Sequence, residues 1–445
     1  MTRTSARKPS QKRSLRGRWS DDRFTLAWMF VAVVACACAL LKPHFLPQPV
    51  WMPIHAVALG VVSNGIFQWS WFFSRGVLHF PLEGAVRYAA FARIIVLNAG
   101  IVALFVAMWL GSVPLSVVAT VLICGAGLQQ GVMLARVARR HRDSRFVPVV
   151  HYYVVAFVAF VLTCALGAVL SYEMMGSNVP AWLVGSADGI AVAHSVLGIG
   201  GWAGITILGT IVVLGLSMLH ARQNEKTWAW ASAVLPLLVA GTLIAGIGAL
   251  AGLAWMVGAG TLFFLVAASG GVLWPLWTSF GQRRRSSPTA WTLLAGVCWF
   301  MLLLAVFAVK SMLAGSVSQI RELIVTQLGI FIAAGIGQVF VASLEYLVPV
   351  AIGGGPRIQR LGGETVAFWW PLRLGLRNGA LVMFFAVQIA GTSQSGLQTV
   401  LLAAILLCYA AEAVVVAYGA VRQLRAKNRA RLTESAERKA VDDEK

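Results

Sequence analysis

Charged residues are scarce in this chain. Asp, Glu, Lys and Arg make up only 12% of its 445 residues, whereas 59% of the residues are hydrophobic. Soluble domains carry about 25% charged residues, so this composition excludes an ordinary water-soluble domain. The mean hydropathy of +0.78 predicts instead that lipid surrounds most of the chain. Acidic residues are fewer than basic residues, 16 against 36, which gives a net charge of +20.

The sequence also lacks the motifs of soluble catalytic domains. It contains no phosphate-cradling glycine loop, no nucleophile elbow and no zinc-protease His-Glu pair. All six cysteines fall within apolar runs, which predicts no disulfide framework: Cys36, Cys38, Cys124, Cys164, Cys298 and Cys408. Any function is therefore expected among the helices or at their ends.

Long apolar runs are abundant. A helix needs roughly 20 apolar residues to cross the hydrocarbon core of a bilayer, and unpaired backbone groups are too costly there for open strands. The runs lack the alternation of membrane barrel strands. They predict an all-α polytopic integral membrane helix bundle of about twelve spans, at 26–42, 51–74, 89–110, 113–135, 147–170, 189–219, 229–253, 256–278, 289–310, 326–352, 378–395 and 397–420.

Basic residues alternate along the predicted bundle, which occupies 26–420. They fill the N-terminal tail 1–25, the C-terminal tail 421–445 and every second loop, whereas the loop at 310–325 departs from the alternation. Four intervening loops contain no Lys or Arg, at 43–50, 111–112, 171–188 and 391–396. Because basic loops stay in the cytoplasm, both termini are predicted to be cytoplasmic in a multi-pass protein of the cell membrane. The basic loops are expected to contact anionic lipid headgroups of the bilayer rather than nucleic acid.

Two histidines are predicted at similar depth on spans that run in the same direction. His55 follows Trp51 by four residues on the second span, and His194 follows Asp188 by six residues on the sixth. At about 1.5 Å rise per residue, both lie within roughly 10 Å of the outer surface. Two facing imidazoles can hold a haem iron axially or contribute to a copper site. The alternative is that each histidine only forms a hydrogen bond with a neighbouring helix or headgroup.

Other soft ligands are expected near the same outer face. His44 lies in the first loop, and Met174 and Met175 precede the sixth span. Imidazole and thioether ligands suit copper, so these three residues join His55 and His194 as candidate metal ligands. Ordinary helix packing is the alternative explanation for the methionines.

A second polar set lies deeper toward the predicted cytoplasmic side. It comprises Arg93, Gln129, Gln130, Glu345 and Glu412. Ionisable groups inside a membrane are costly and commonly functional, so the set could form a proton or solute route. The alternative is structural: Arg93 would neutralise one of the two glutamates.

Three segments resemble a known family. They are His55-Ala-Val-Ala-Leu-Gly-Val-Val-Ser-Asn64, His194-Ser-Val-Leu-Gly198 continuing to Thr210, and Ser343-Leu-Glu-Tyr-Leu-Val-Pro349 continuing to Pro356. Together they resemble the twelve-span actinobacterial membrane proteins often labelled copper oxidases, distant relatives of haem–copper oxidase subunit I and of the nitric-oxide-response haem and copper membrane protein. The resemblance covers spans two to ten. It implies a twelve-helix bundle carrying haem b or copper, with His55 and His194 at the family's histidine positions.

The sequence departs from the oxidases at their defining ligands. Those enzymes have adjacent histidines on span seven and two on span ten, whereas here span seven has none and the span-ten motif has Glu345. A standard oxygen-reducing haem–copper oxidase is therefore not expected. Three hypotheses stay open. The first is a haem or copper redox protein, related to nitric oxide or metal stress, with an electron-transfer or copper partner on the outer side. The second is a transporter or permease using Arg93, Glu345 and Glu412, and the third is a scaffold without a cofactor.

Overall fold

The computed structural model describes residues 19–80, 84–218, 225–280, 287–390 and 395–443, and within these ranges the chain is helical without any strand. Twelve helices there are long and apolar enough to cross a membrane: α1 Arg23–Leu41, α2 Trp51–Leu78, α3 Tyr88–Leu110, α4 Val113–Arg140, α5 Val147–Met175, α6 Ala181–Met218, α7 Thr227–Leu250, α8 Ala254–Thr278, α9 Pro288–Leu313, α10 Val317–Ile352, α11 Trp370–Ile389 and α12 Gly396–Asp443. The protein is thus an all-α polytopic membrane helix bundle, which confirms the predicted fold class. Most of the N-terminal tail and the run Arg283–Arg285 lie outside the described residues.

Most consecutive spans pack against one another, and α1 also contacts α12. Three helices, α2, α6 and α10, line one cavity. Trp202 on α6 donates a hydrogen bond to Ser63 on α2 at 3.1 Å, and Gly65 on α2 faces the ring of Phe340 on α10. We call the end that carries the arginine-rich loops the basic end. Helices α2, α6 and α10 therefore begin at the opposite end.

Helices α2, α6 and α10, which line the cavity, share a departure from regular α-helical geometry. Each contains a π-helical segment: Ala56–Ser63 in α2, Leu197–Gly204 in α6 and Phe331–Gly337 in α10. A π-helical turn widens the helix and re-aims its side chains, and such turns are frequent at functional sites. The first segment begins directly after His55, and the second begins three residues after His194.

Glycines allow neighbouring spans to approach closely. A Cβ atom on Gly60 of α2 would lie 2.5 Å from the ring of Trp28 on α1, and one on Gly260 of α8 would lie 2.4 Å from the backbone nitrogen of Ala245 on α7. Small residues at such contacts let helix backbones pack without a side chain between them, as is common in membrane bundles.

Several helices begin earlier than the sequence predicts. Helix α6 starts at Ala181 and α10 at Val317, whereas hydropathy places their starts at 189 and 326. The added turns carry an ion pair in which Arg321 Nη1 lies 2.6 Å from Asp188 Oδ1. This pair neutralises the arginine that departs from the alternation of basic loops.

The charged C-terminal segment is also helical. Helix α12 continues to Asp443, whereas the sequence analysis assigns 421–445 to a charged tail. Its Ala, Glu, Arg, Leu and Lys residues are strong helix formers. Gln423 donates to the carbonyls of Pro349 and Gly353, and Lys427 donates to that of Ile352. These bonds supply donors to carbonyl groups at the end of α10, where the carbonyl of Pro349 also accepts from the backbone N–H of Gly353.

Candidate functional site

His55 and His194 lie side by side between α2 and α6. Their ring centroids are 6.2 Å apart, and the ring planes are inclined by 31°. Both side chains are half-buried, so some accessible space adjoins each ring. The two histidines that the sequence places at equal depth are therefore neighbours in the bundle.

Backbone carbonyls fix the tautomer of each ring. Nδ1 of His55 lies 2.9 Å from the carbonyl oxygen of Trp51, and Nδ1 of His194 lies 2.9 Å from that of Thr163. A carbonyl oxygen only accepts hydrogen bonds, so Nδ1 carries the proton in both rings. In a neutral imidazole the other nitrogen, Nε2, then has a free lone pair. Metal-ligating histidines are typically oriented in this way.

Packing holds the two rings in place. The indole of Trp51 stacks on His55 with the centroids 4.2 Å apart and the planes 17° from parallel. Phe105 packs on the other side of Trp51 at 5.3 Å. On α5, a Cβ atom at Gly167 would lie 3.2 Å from Cε1 of His194, so glycine leaves room for that ring.

The centroid separation of the two rings is close to the value that one shared ion would need. Axial ligation of an iron by two imidazoles needs the ligating nitrogens about 4 Å apart, and each centroid lies about 1 Å behind its nitrogen, so centroids about 6 Å apart are expected. The observed separation is 6.2 Å. Two neutral rings protonated on Nδ1 cannot donate to each other through Nε2.

Two of the three other candidate ligands are exposed. His44 is exposed in the turn Pro43–Phe45, Met174 is 44% exposed at the end of α5, and Met175 is half-buried. Within the described ranges, no three His, Cys, Asp or Glu side chains group as a metal site. The donor set that the structure brings together is therefore the two imidazoles of His55 and His194.

A network of buried charges lies in the half of the bundle toward the basic end. Arg373 Nη1 and Arg377 Nη1 of α11 donate to the two carboxylate oxygens of Glu412 on α12, at 2.5 and 2.8 Å. Glu345 on α10 lies 3.8 Å from Arg373 Nη2. All four side chains are 12% exposed or less. Two arginines thus oppose two glutamates, and pairing is how a membrane interior tolerates charge.

Amides extend this network toward the bundle centre. Arg377 Nε donates to Gln338 Oε1 at 3.1 Å, and Asn378 Nδ2 donates to the same oxygen at 3.0 Å. The indole nitrogen of Trp299 donates to Asn378 at 2.9 Å. Sequence reasoning did not include Arg373 and Arg377 in the buried polar set. Hydropathy places the start of α11 at 378 and leaves both arginines in a basic loop, whereas the helix begins at Trp370.

Arg93 and Gln129 do not belong to this network. Arg93 lies over the ring of Trp71 at 5.7 Å, and both Glu345 and Glu412 are paired with other arginines. The hypothesis that Arg93 neutralises a glutamate is therefore wrong. Gln129 is exposed, so its assignment as a buried polar residue is also wrong. Adjacent helical positions point about 100° apart, and it is Gln130 that faces inward and donates to the carbonyl of Phe67 at 3.2 Å.

A cavity of about 90 Å³ lies between α2, α6 and α10. Its wall is mostly apolar, with hydroxyl groups at a few points: Ser70, Tyr153, Thr206, Thr210 and Ser343. The hydroxyl oxygen of Thr206 is buried without a hydrogen-bond partner. The cavity lies on the basic side of the histidine pair.

Comparisons with known proteins add no relative. No protein-family model matches the sequence, and no curated protein matches it significantly. The resemblance to the haem–copper membrane proteins therefore stays a prediction from the three sequence segments.

Proposed function

We propose that this protein is a metalloprotein of the cell membrane in which His55 and His194 hold one ion, the iron of haem b or a copper ion. Its role would be redox chemistry or a response to nitric oxide or metal stress. The observation that supports the proposal is the meeting of two imidazoles whose Nδ1 protons are directed to backbone carbonyls and whose Nε2 lone pairs are free. Such a pair is a preorganised ligand set.

The chain supplies orientation and shielding. A haem or copper ion bound there would supply one-electron chemistry. The carbonyls of Trp51 and Thr163 hold the tautomer that each ligand needs, and the stacked indole of Trp51 covers one face of His55. Because His55 lies one turn from the start of α2, an electron or copper partner would reach the pair from the end opposite the basic loops.

Absorption spectroscopy and metal analysis of purified protein test the proposal. Protein from cells supplied with haem and copper should contain one ion per chain. Both the His55→Ala and the His194→Ala variant should lose that ion. His151→Ala is the matched control, because His151 is exposed on α5. His44→Ala tests whether the exposed histidine contributes. A reduced-minus-oxidised haem b spectrum identifies iron, whereas a colourless protein with stoichiometric copper identifies copper.

One outcome would remove this function. The protein could fold and yet contain neither haem nor copper, even from cells supplied with both. If its His55→Ala variant then has the same metal content and absorption spectrum as wild type, the pair has no role as ligands. The scaffold and transport hypotheses would then stand.

One observation favours transport as the second candidate. Glu345 has one buried oxygen, Oε2, without a hydrogen-bond partner, and its neighbours Ser343 and Leu344 line the central cavity. A carboxyl beside a cavity is a typical proton-exchange group in transporters. In vesicles loaded with a pH-sensitive dye, such a function predicts proton flux that Glu345→Gln abolishes. Arg93 has no part in this candidate, since it lies away from both glutamates.

A further inference from the structure

Two of the six cysteines lie opposite each other on neighbouring helices. Cys124 on α4 and Cys164 on α5 are both free thiols, and the two thiols are hydrogen-bonded to each other. The thiol of Cys124 also donates to the carbonyl of Val161, one turn before Cys164, with its Sγ atom 3.8 Å from that oxygen. Thiols in contact across a helix interface are positioned to form an S–S bond, whose length is about 2.05 Å.

The register of α4 on α5 independently places the two cysteines at one level. Towards the outer end, Ser116 Oγ lies 3.1 Å from Ser171 Oγ. Towards the basic end, a Cβ atom at Gly131 would lie 3.1 Å from Cβ of Phe157. Counting inward from the serine pair by eight residues on α4 and seven on α5 gives the two cysteines, and counting seven residues on each helix from the second contact gives the same two.

Glycines allow α4 and α5 to approach closely beside the cysteines. A Cβ atom at Gly127, one turn from Cys124, would lie 2.7 Å from the ring of Phe160. Gly127 and Gly131 are four residues apart and therefore share one face of α4. Small residues at this spacing let membrane helices pack with little space between their backbones. A disulfide requires Cα atoms about 4.4–6.8 Å apart, and such close packing is what brings them within that range.

The cysteine pair lies near the middle of the membrane. Cys124 follows the start of α4 at Val113 by eleven residues, and Cys164 precedes the end of α5 at Met175 by eleven. At about 1.5 Å rise per residue, each is about 16 Å from that end of its helix, half the depth of a hydrocarbon core of about 30 Å. Both side chains are half-buried, and a Cβ atom at Gly125 would meet nothing within 4 Å. Open space on the lipid side therefore adjoins the pair.

A disulfide suits this depth better than a metal ion does. Soft metal ions bind thiolates, and a monovalent ion held by two thiolates leaves a net negative charge. Charge is costly in the hydrocarbon core, whereas a disulfide is uncharged. An oxidant that reaches the pair must itself dissolve in lipid, as an organic hydroperoxide does.

We propose that Cys124 and Cys164 form a reversible disulfide that joins α4 to α5 when organic hydroperoxides are present in the membrane. The sulfur of one cysteine attacks the terminal oxygen of the hydroperoxide as its proton passes to the other oxygen, so the O–O bond breaks and an alcohol leaves. The sulfenic acid so formed condenses with the second thiol, which forms the S–S bond and releases water. The two thiols lose two electrons, and the hydroperoxide takes them up.

The test uses wild-type full-length protein in lipid nanodiscs, with its thiols first reduced. Cumene hydroperoxide is the oxidant, and trypsin then cuts the α4–α5 loop at the exposed residues Arg142 and Arg145. On a denaturing gel without reductant, the fragments that carry α4 and α5 should stay joined, and dithiothreitol should separate them. The joined fraction should rise at least tenfold over untreated protein. Mass spectrometry of the joined fragments should find Cys124 linked to Cys164.

Variants assign the bond to this pair. Cys124→Ala and Cys164→Ala should each lower the joined fraction at least tenfold. Cys298→Ala, which removes an exposed cysteine on α9, is the matched control and should behave as wild type. A joined fraction that persists in a folded Cys124→Ala variant would overturn the assignment.

The wild-type measurement also decides the proposal without any variant, so it stands where a cysteine variant does not fold. After hydroperoxide treatment, the protein is unfolded and its free thiols are alkylated. Alkylation of both Cys124 and Cys164 in most chains would overturn the proposal. Protection of both from alkylation, reversed by dithiothreitol, is the expected result. The readout is the thiols themselves, so this test does not depend on the metal proposal.

Discussion

Replacing Glu412 by Gln should be among the most destabilising changes in the bundle. The carboxylate accepts hydrogen bonds from Arg373 and Arg377 at 2.5 and 2.8 Å, and its side chain is 5% exposed. Without it, the carboxylate that remains near the two guanidinium groups among the described residues would be Glu345, which lies 3.8 Å from Arg373. Breaking a buried pair by removing one partner costs about 3–5 kcal/mol, because the remaining charge is left uncompensated. We expect a loss of that size in the free energy of unfolding.

The chain offers a matched control on its surface. Arg360 and Glu364 form a pair at 2.8 Å with side chains 81% and 62% exposed. Exposed helix pairs of this spacing contribute about 0.3–0.5 kcal/mol. Glu364→Gln should therefore have an effect near that size, although it removes the same chemical group.

A double variant isolates the interaction. In Arg377→Met with Glu412→Gln, one positive and one negative charge leave together, and Arg373 can still pair with Glu345. The combined loss should be smaller than the sum of the single losses by about 0.5–3 kcal/mol. Equilibrium unfolding from a mild into a denaturing detergent, followed by two probes, measures each value. If Glu412→Gln is no more harmful than Glu364→Gln, the charges are not coupled and the reasoning fails.

Two other predictions concern packing and orientation. A Cβ atom on Gly271 would lie 1.8 Å from Val234, whereas one on Gly270 would have nothing within 4 Å. Gly271→Ala should therefore lower the free energy of unfolding by about 1–3 kcal/mol through overpacking. Equal unfolding midpoints for the Gly270→Ala and Gly271→Ala variants would contradict this. Cysteines placed at Ser177 and at Asp143 should be labelled by an impermeant reagent from opposite sides of the membrane, with Asp143 on the cytoplasmic side. Labelling of both from one side refutes the assigned orientation.

Hydropathy predicts the existence of the spans well, because a bilayer requires about 20 consecutive apolar residues whatever the tertiary contacts. It fails at helix ends where polar residues find partners in other spans. Helix α11 begins eight residues before its predicted start because Arg377 and Arg373 are neutralised by Glu412, a residue more than thirty positions away in the sequence. No local pattern carries that information.

The candidate site could likewise be predicted only in part from the sequence. Counting residues from Trp51 and Asp188 along two parallel spans anticipates the proximity of His55 and His194, although α6 begins at Ala181, seven residues before Asp188. The direction of their Nδ1 protons depends on the Trp51 and Thr163 carbonyls, and the second of these belongs to another helix. Which of Gln129 and Gln130 faces inward depends on the rotation of α4, which hydropathy alone does not determine when both neighbours are polar.

The contact between α1 and α12 has a consequence for how the protein is made. Spans enter the membrane in order of synthesis, so the contact between α1 and α12 forms only after the last span has been made. The final turn of α10 likewise obtains its capping donors, Gln423 and Lys427, only when the ribosome has passed residue 427. A nascent chain stopped earlier would leave uncovered the faces of α1 and α10 that contact α12.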